Sequence, residues 1–427
     1  MIDTEIRRVR GRRVWDSRGR PTVEAEVELA SGVIGRAIAP AGASTGSGEA
    51  VDLRDADGAL GGMDVRRAVE NIDTDIAKLL FGVDAADQDG VDRRLLEADG
   101  TPNKARLGGN AMIATSMATL HAAAAAHRLP LWRYLAGDGP VSLPLPQIQI
   151  FGGGAHAARR VDIQDFMVMC PSALSFADAL DRTAKIYWTA GKLLSERGLL
   201  QGVADEGGYW PAFSSNEEAL GVLLRAIEAA GFIPGCDAVI ALDIAASEFG
   251  SHGSYRLARD GRTLDTDGLL ELIGCWLERY PIASIEDPVA EDDEQGFRRF
   301  TASFGNRVQI VGDDFLVTNA ERIRAAAAGV ACNAALIKPN QAGTITETLA
   351  AAIAARASGL ATIVSARSGE TEDLTIVHLA VGWNAGQLKV GSFSRSERMA
   401  KWNEALRIEE TLGSSAVFAG STVLGGR

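Results

Sequence analysis

Five short apolar runs in the second half of the chain, residues 239–243, 282–287, 308–314, 335–338 and 362–365, each finish on a charged or polar residue. Stretches of helical periodicity separate them, so the repeating unit is strand, helix, strand, helix. Runs without polar alternation mark parallel strands covered on both faces by helices. The pattern predicts helices over 175–198, 215–231, 267–280, 318–329 and 344–359. In the first of these, Ser175 and Asp178 read as a capping box, Phe176, Leu180 and Tyr187 share a face, and Gly198 ends the helix. In a closed βα barrel the carboxyl ends of the strands converge on one face, where chemistry sits. The residues delivered there are Asp243, Glu286, Asp313 and Lys338.

The first third follows a different rule. Residues 22–29 alternate apolar and acidic side chains, which predicts a half-buried antiparallel strand with a turn at Ser31-Gly32. Residues 39–48 form a small-residue loop too glycine-rich for a plain hairpin connection, and two or three helices follow to about His127. Glycine and proline at 137–146 mark a boundary, giving expected domains over 1–135 and 140–427. The most apolar long stretch, 111–126, is broken by Thr115, Ser116, Thr119 and His121, so it predicts a buried helix and not a membrane span.

Bulk properties narrow the classes. Across 427 residues, 43 Lys and Arg stand against 56 Asp and Glu, a formal charge of −13, which argues against nucleic acid or an anionic membrane as partner. Cys170, Cys236, Cys275 and Cys332 lack CxxC spacing and sit in apolar contexts, so all four are expected as reduced core thiols. No basic-then-apolar leader is read at the N-terminus, and a cytoplasmic location is expected.

Three carboxylates on successive strand ends, Asp243, Glu286 and Asp313, are hard oxygen donors suited to Mg²⁺. Lys338 ends the next strand and Lys389 lies beyond it. Either acts as a base only with a lowered pKa; the alternative is a buried lysine that neutralises the acidic cluster. Asp205-Glu206-Gly207-Gly208 and the segment from Gly152-Gly153-Gly154 through His156 to Asp165 are polar glycine loops with weaker claims, readable as turn punctuation.

From Trp15-Asp16-Ser17-Arg18-Gly19 to Ile408-Glu409-Glu410 the chain resembles the enolase family. The longest shared motifs are Gly42-Ala43-Ser44-Thr45-Gly46, the run from Ala241 through Asp243 to Phe249, Ser284-Ile285-Glu286-Asp287-Pro288 and the run from Arg367 to Asp373. The resemblance implies an α/β chain with an enolase-like fold: an N-terminal α+β domain carrying a mobile substrate loop, then a modified eight-stranded TIM-type barrel with its first units rearranged. It implies Asp243, Glu286 and Asp313 as tight Mg²⁺ ligands. A second Mg²⁺ would arrive with substrate and be held in part by Ser44. Lys338 matches the base, Glu206 the acid that assists loss of the 3-hydroxyl, and Lys389 a contact to the substrate carboxylate. Arg367 and Ser368 match phosphate ligands, and His156, Gln164 and Asp165 match active-site residues. The implied partner is a small phosphorylated or phosphonylated carboxylic acid, and the implied assembly a homodimer or higher homo-oligomer. Taking a proton from the carbon beside a carboxylate doubles its charge, which divalent cations stabilise, and an opposing carboxylic acid then protonates the leaving hydroxyl.

Five sites, six residues in all, depart from the family pattern. Ala366 stands where enolases have histidine, Asp165 where they have glutamate, Ala41 for a serine, Gly152 for an asparagine, and Tyr209-Trp210 for two small residues. Three readings remain: an ordinary enolase making phosphoenolpyruvate from 2-phosphoglycerate, an inactive scaffold, or a specialised lyase. A specialised member's substrate would carry added bulk near the phosphoryl group, since smaller lining side chains admit it. Enolase-like proteins occur in phosphonate and phosphinate antibiotic biosynthesis, so the resemblance implies carboxyphosphonoenolpyruvate as the product of such a specialised member. A coupled transfer from a nucleotide-activated phosphonoformyl donor is left open by the sequence.

Overall fold

The structure, a computed structural model, describes residues 3–56 and 58–425. Residues 1–2 and 426–427 of the two expected domains, with Asp57, lie outside the described residues. Strands β1 (Ile6–Trp15), β2 (Pro21–Leu29) and β3 (Ile34–Ile38) form an antiparallel sheet with β2 in the centre. Val23, Ala25, Val27 and Leu29 are fully buried on one face of β2. The acidic face was expected in solvent, and here the structure differs. Glu26 is only 4 % exposed, because Arg12 Nη2 (2.8 Å) and Arg36 Nε (2.6 Å) close over its carboxylate, and Arg8 Nη2 pairs with Glu28 at 2.8 Å. Arginine stems cover apolar surface while their heads neutralise the acids, so β2 is covered on both faces.

The helix Gly109–Ala126 packs on β2 and β3. Its approach explains Gly35: a Cβ there would lie 2.2 Å from the Ala118 carbonyl oxygen and 2.3 Å from Ala122 N. The polar residues that interrupt this apolar helix are satisfied internally. Thr115 Oγ1 donates to Ala111 O at 2.8 Å, Thr119 Oγ1 to Thr115 O at 2.9 Å, and Ser116 Oγ to Asp92 at 2.6 Å. Among the described residues no helix is long and apolar enough to cross a membrane.

The second part supplies β4 (Leu145–Gly152), β5 (Asp165–Met169), the hairpin β6 (Leu200–Val203) and β7 (Tyr209–Pro211), and β8 (Val239–Asp243). A small sheet of β9 (Gly250–Ser251), β10 (Ser254–Leu257) and β11 (Arg262–Asp265) precedes β12 (Ile282–Glu286), β13 (Gln309–Gly312), β14 (Ala334–Ile337), β15 (Ala361–Ser365) and β16 (Gly386–Gly391). The order β16-β15-β14-β13-β12-β8-β5-β4, with β16 pairing back onto β4, closes a barrel of eight strands. Neighbours run parallel except at β5, which is antiparallel to both β4 and β8. The expected rearranged barrel is therefore present, and the reversal of β5 matters for the site. It brings the first residue of β5, Asp165, level with the last residue of β8, Asp243.

The helix periodicities hold to within a turn. Ser175, Ser215 and Thr344 cap helices Phe176–Glu196, Asn216–Ala229 and Ile345–Ala357 by accepting the backbone N–H three residues on. Two starts differ: Asp265 and Asn319, not Asp267 and Thr318, cap helices Thr266–Arg279 and Ala320–Ala328. The cysteine reading needs correction as well. Cys170 and Cys332 are buried, but Cys236 and Cys275 are exposed, because Cys236 sits in a surface turn and Cys275 on the outer face of the helix Thr266–Arg279.

Candidate active site

The parallel strands end at one mouth of the barrel, and register sets the residues near their ends side by side. Glu286 lies beside Asp243, and Ser365 beside Lys389. Asp313 follows β13 directly and Lys338 follows β14. All these polar groups are buried. Lys389 Nζ lies 2.8 Å from Asp243 Oδ2, 2.8 Å from Glu286 Oε2 and 3.6 Å from Asp165 Oδ2. Lys338 Nζ pairs with Asp313 Oδ2, whose other oxygen accepts from Gln341 Nε2 at 2.9 Å. Gln164 Nε2 donates to Asp243 Oδ2 at 3.2 Å.

Charge dominates the electrostatics. Burial favours the neutral forms of both lysines, yet Asp313 raises the pKa of Lys338, and Asp243 with Glu286 raises that of Lys389 well above the usual ammonium range. As arranged here, Lys338 is a protonated partner of Asp313, the neutralising role that the lysine pattern also allowed. On the acidic side, burial and then Asp243 push the Glu286 carboxyl well above its ordinary value. Burial and Asp313 push Asp314 up to about 8.

These groups fit a divalent cation. The donors are carboxylates, Glu286 Oε1 is buried without a hydrogen-bond partner, and the neighbouring acids resist ionising together. Among the described residues, two groups of three bring potential ligand atoms within 4.8 Å of one another: Asp287, Asp313 and Asp314, and His156, Asp165 and Glu206. The expected trio Asp243, Glu286 and Asp313 is not gathered to that distance, because Lys389 pairs with Asp243 and Glu286 while Lys338 holds Asp313. Asp287 was quoted in the sequence without a role. Its carboxylate accepts the backbone N–H groups of Asp313 and Asp314, both at 2.9 Å, and so fixes the loop that presents Asp313.

The acid end of the site lies across the mouth. His156 Nδ1 is 3.2 Å from Asp165 Oδ1, and His156 Nε2 is 3.9 Å from Glu206 Oε1. Burial, with Asp165 adding to it, raises the Glu206 carboxyl above the usual range despite His156. Burial would lower the His156 pKa, but Glu206 and Asp165 raise it. Burial opposes ionisation of Asp165, but His156 and Lys389 hold its carboxyl far below the ordinary range.

The loop from the first part closes the mouth. Arg367 Nη2 donates to Ser44 O at 2.9 Å, and Arg367 Nη1 pairs with Glu49 at 2.9 Å. Ser44 thus enters through its backbone carbonyl. Ser47 N donates to Glu291 at 3.0 Å, and Ser368 Oγ accepts from Arg18 Nη1 at 3.2 Å. Together Ser44, His156, Gln164, Glu206, Asp243, Lys338, Ala366, Arg367, Ser368 and Lys389 line one cleft. Its free space is about 10 Å³, roughly one water molecule, so a substrate enters only when the loop and side chains give way. Ala366 is 5 % exposed in that wall.

Gln149, Gln341 and Glu49 escaped the sequence reading. For Gln149 a signal existed: Gln147 and Gln149 recur with period two in the otherwise apolar run Leu145–Gly152, which places polar groups on the barrel's inner face. Gln147 Nε2 donates to Gln387 Oε1 at 2.9 Å.

An eight-stranded barrel with acids and lysines gathered at its carboxyl mouth, capped by a separate α+β unit, defines a class of barrel lyases. Residues 6–135 match the family model "Enolase, N-terminal domain" and residues 140–425 match "Enolase, C-terminal TIM barrel domain". The chain is 49 % identical over 417 residues to "Enolase 1" of Desulfitobacterium hafniense (strain Y51), covering 97 % of this chain and 95 % of that protein. The chain belongs to the enolase family, and is a lyase of the enolase superfamily. Family membership implies Mg²⁺ binding, and the acidic clusters above can bind metal.

Proposed function

We propose that this lyase removes the α-proton of a 2-phosphoglycerate-like acid at Lys338 and expels its β-hydroxyl with help from Glu206. The observation that carries the reading is that Lys338 and Glu206 line one narrow cleft together with Asp243, Arg367, Ser368 and Lys389. Asp243, Glu286 and Asp313 are the residues that would hold tight Mg²⁺, with Ser44 contributing to a second ion that arrives with substrate. Bound there, Mg²⁺ supplies positive charge at the developing enediolate.

Each side chain has a separate task. Lys338 Nζ serves as base when Asp313 is engaged elsewhere, because the Asp313 pairing is what raises its pKa. It takes the α-proton, and the electron pair forms the enediolate. Glu206, whose raised pKa favours the protonated carboxyl, gives its proton to the leaving hydroxyl, which departs as water. Lys389 orients the substrate carboxylate, and Arg367 with Ser368 takes the phosphoryl end. His156 and Gln164 border the acid side.

Ala366 favours a substrate with added bulk at that phosphoryl end. In the wall beside Arg367 it presents only a methyl group, and a carboxyphosphono acid leading to carboxyphosphonoenolpyruvate has the shape that such a wall admits. The test is purified protein with 2-phosphoglycerate, followed by absorbance of the enol product, beside phosphorus NMR on a carboxyphosphono substrate mixture. Rapid dehydration of 2-phosphoglycerate makes it an ordinary enolase. Failure of α-proton exchange on every such acid removes the lyase mechanism itself.

A further inference from the structure

Gln149 lies on β4, 1 % exposed, at the acid end of the site. Its Nε2 donates to Asp165 Oδ1. Its Oε1 accepts the backbone N–H of Gly208 at 2.8 Å, two residues beyond Glu206. One amide therefore ties the side chain of Asp165 to the loop that carries Glu206.

The surroundings are shaped for that amide. A Cβ at Gly208 would lie 2.5 Å from Gln149 Oε1, and a Cβ at Gly152 would lie 2.4 Å from Ala204 Cβ and 3.4 Å from Gln149 Nε2. A side chain at either position would push the amide or the loop out of place. The far side of the loop is held too. Ser394 Oγ and Tyr187 Oη donate to Gly207 O at 2.8 and 3.2 Å, Tyr187 stacks on Tyr209 with ring centroids 4.3 Å apart, and Arg395 Nε donates to Ala204 O at 2.9 Å.

We infer that Gln149 is the positioning residue of the acid half of the reaction, setting how far Asp165 and the Glu206 loop stand from His156, and so the geometry with which the leaving hydroxyl is protonated. The inference rests on the lyase reading above. A long amide reaching a short carboxylate spans the gap here. Moving one methylene across the pair, as Gln149→Asn with Asp165→Glu, conserves the total reach, whereas either change alone leaves it short or crowded.

The experiment has one arm independent of substrate. In Gln149→Leu, similar in volume, Gly208 loses its acceptor, and hydrogen exchange of its amide should quicken about tenfold. In the second arm, Gln149→Leu and Gln149→Asn should slow elimination by about 10²-fold, the usual consequence of misplacing a catalytic group by an ångström, while exchange of the substrate α-proton with D₂O stays within about threefold of wild type. Gln149→Asn with Asp165→Glu should recover most of the lost elimination rate, a rescue that a purely structural role does not give. Unchanged Gly208 exchange overturns the coupling. Parallel loss of α-proton exchange and elimination, or a double variant no better than the single ones, overturns the positioning role. A wild type that exchanges no α-proton from any 2-phospho or carboxyphosphono acid overturns the lyase reading instead, and the Gly208 arm then still decides the coupling.

Discussion

Replacing Ala366 with histidine tests what a lone methyl side chain beside Arg367 in the cleft wall does. The backbone at 366 is held in place, since its N–H donates to Lys389 O at 2.8 Å, so a new side chain would project from a fixed point beside Arg367. Histidine adds about five heavy atoms to a site with about 10 Å³ of free space; overpacking of that kind costs on the order of 1–3 kcal/mol in stability, visible as a Tm lowered by a few degrees. Against that stands a new donor near the phosphoryl end, and one transition-state hydrogen bond is worth on the order of 2–4 kcal/mol, about 10²–10³ in rate. Activity of Ala366→His on 2-phosphoglycerate should therefore rise by about 10² over a slow wild type, measured as the absorbance of the enol product. Turnover of a carboxyphosphono substrate should fall, because the imidazole occupies the room its extra carboxyl needs. Adding Asp165→Glu together with Gln149→Asn, which conserves the reach of that pair, should extend the first effect. Fast wild-type turnover of 2-phosphoglycerate, or an Ala366→His variant that leaves the ratio of the two activities unchanged, would refute the reasoning.

The division of labour should separate kinetically: Lys338→Ala should abolish exchange of the substrate α-proton with D₂O, while Glu206→Gln keeps exchange and loses release of the β-oxygen, both followed by NMR. Asp243→Ala and Glu286→Ala should each lose the tight Mg²⁺ site in titration calorimetry, and unchanged affinity in both would remove them as ligands. Under native conditions a thiol reagent should modify Cys236 and Cys275 alone, because Cys170 and Cys332 are buried and burial pushes their thiols up to about 11 and about 12. His378 should make the fold acid-sensitive. Burial and then His121 depress its pKa from 6.5 to about 4, so the unfolded chain binds the extra proton first and stability falls as pH drops from about 6.5 toward 4. The fall is at most about 3 kcal/mol from this group, and denaturant titrations should show a flatter pH slope in His378→Gln.

The barrel was legible because parallel strands leave a run of apolar residues with a polar terminus, and that terminus is where the site forms. Asp243, Glu286, Asp313 and Lys338 were singled out for that reason. β5 was not read as a strand, and its reversal is what makes Asp165 a neighbour of Asp243; no periodicity within five residues encodes direction. Glu26 was misplaced because the charges that cover it come from β1 and β3, which local alternation does not see. Gln149 was visible in principle, as a polar residue at the inward period of an apolar strand. Its two partners depend on the fold, since Asp165 lies 16 residues and Gly208 lies 59 residues away along the chain.

Positions that depart from the family pattern are not scattered over the site. Gly152 pairs with Asp165 across β4 and β5, Tyr209 pairs with Phe151 on β4, and Tyr209 stacks on the Tyr187 that holds Gly207. These changes surround Gln149 and the Glu206 loop, whereas Ala366 and Ala41 sit on the phosphoryl side, where Ala41 N and O both bond Gly369 at 2.9 Å. Lys338, Asp313, Gln341 and Asp287 form one connected network on the opposite side. A site that had lost its chemistry would accumulate changes without regard to that division, and its charged network could be exchanged as a whole for apolar residues at little cost to stability, although loss of one partner alone is destabilising. A site altered to take a different leaving-group or phosphoryl end, while still forming an enediolate, would change where these residues change. The grouping therefore fits retained enolase-type chemistry, and a scaffold without activity is the reading it disfavours most.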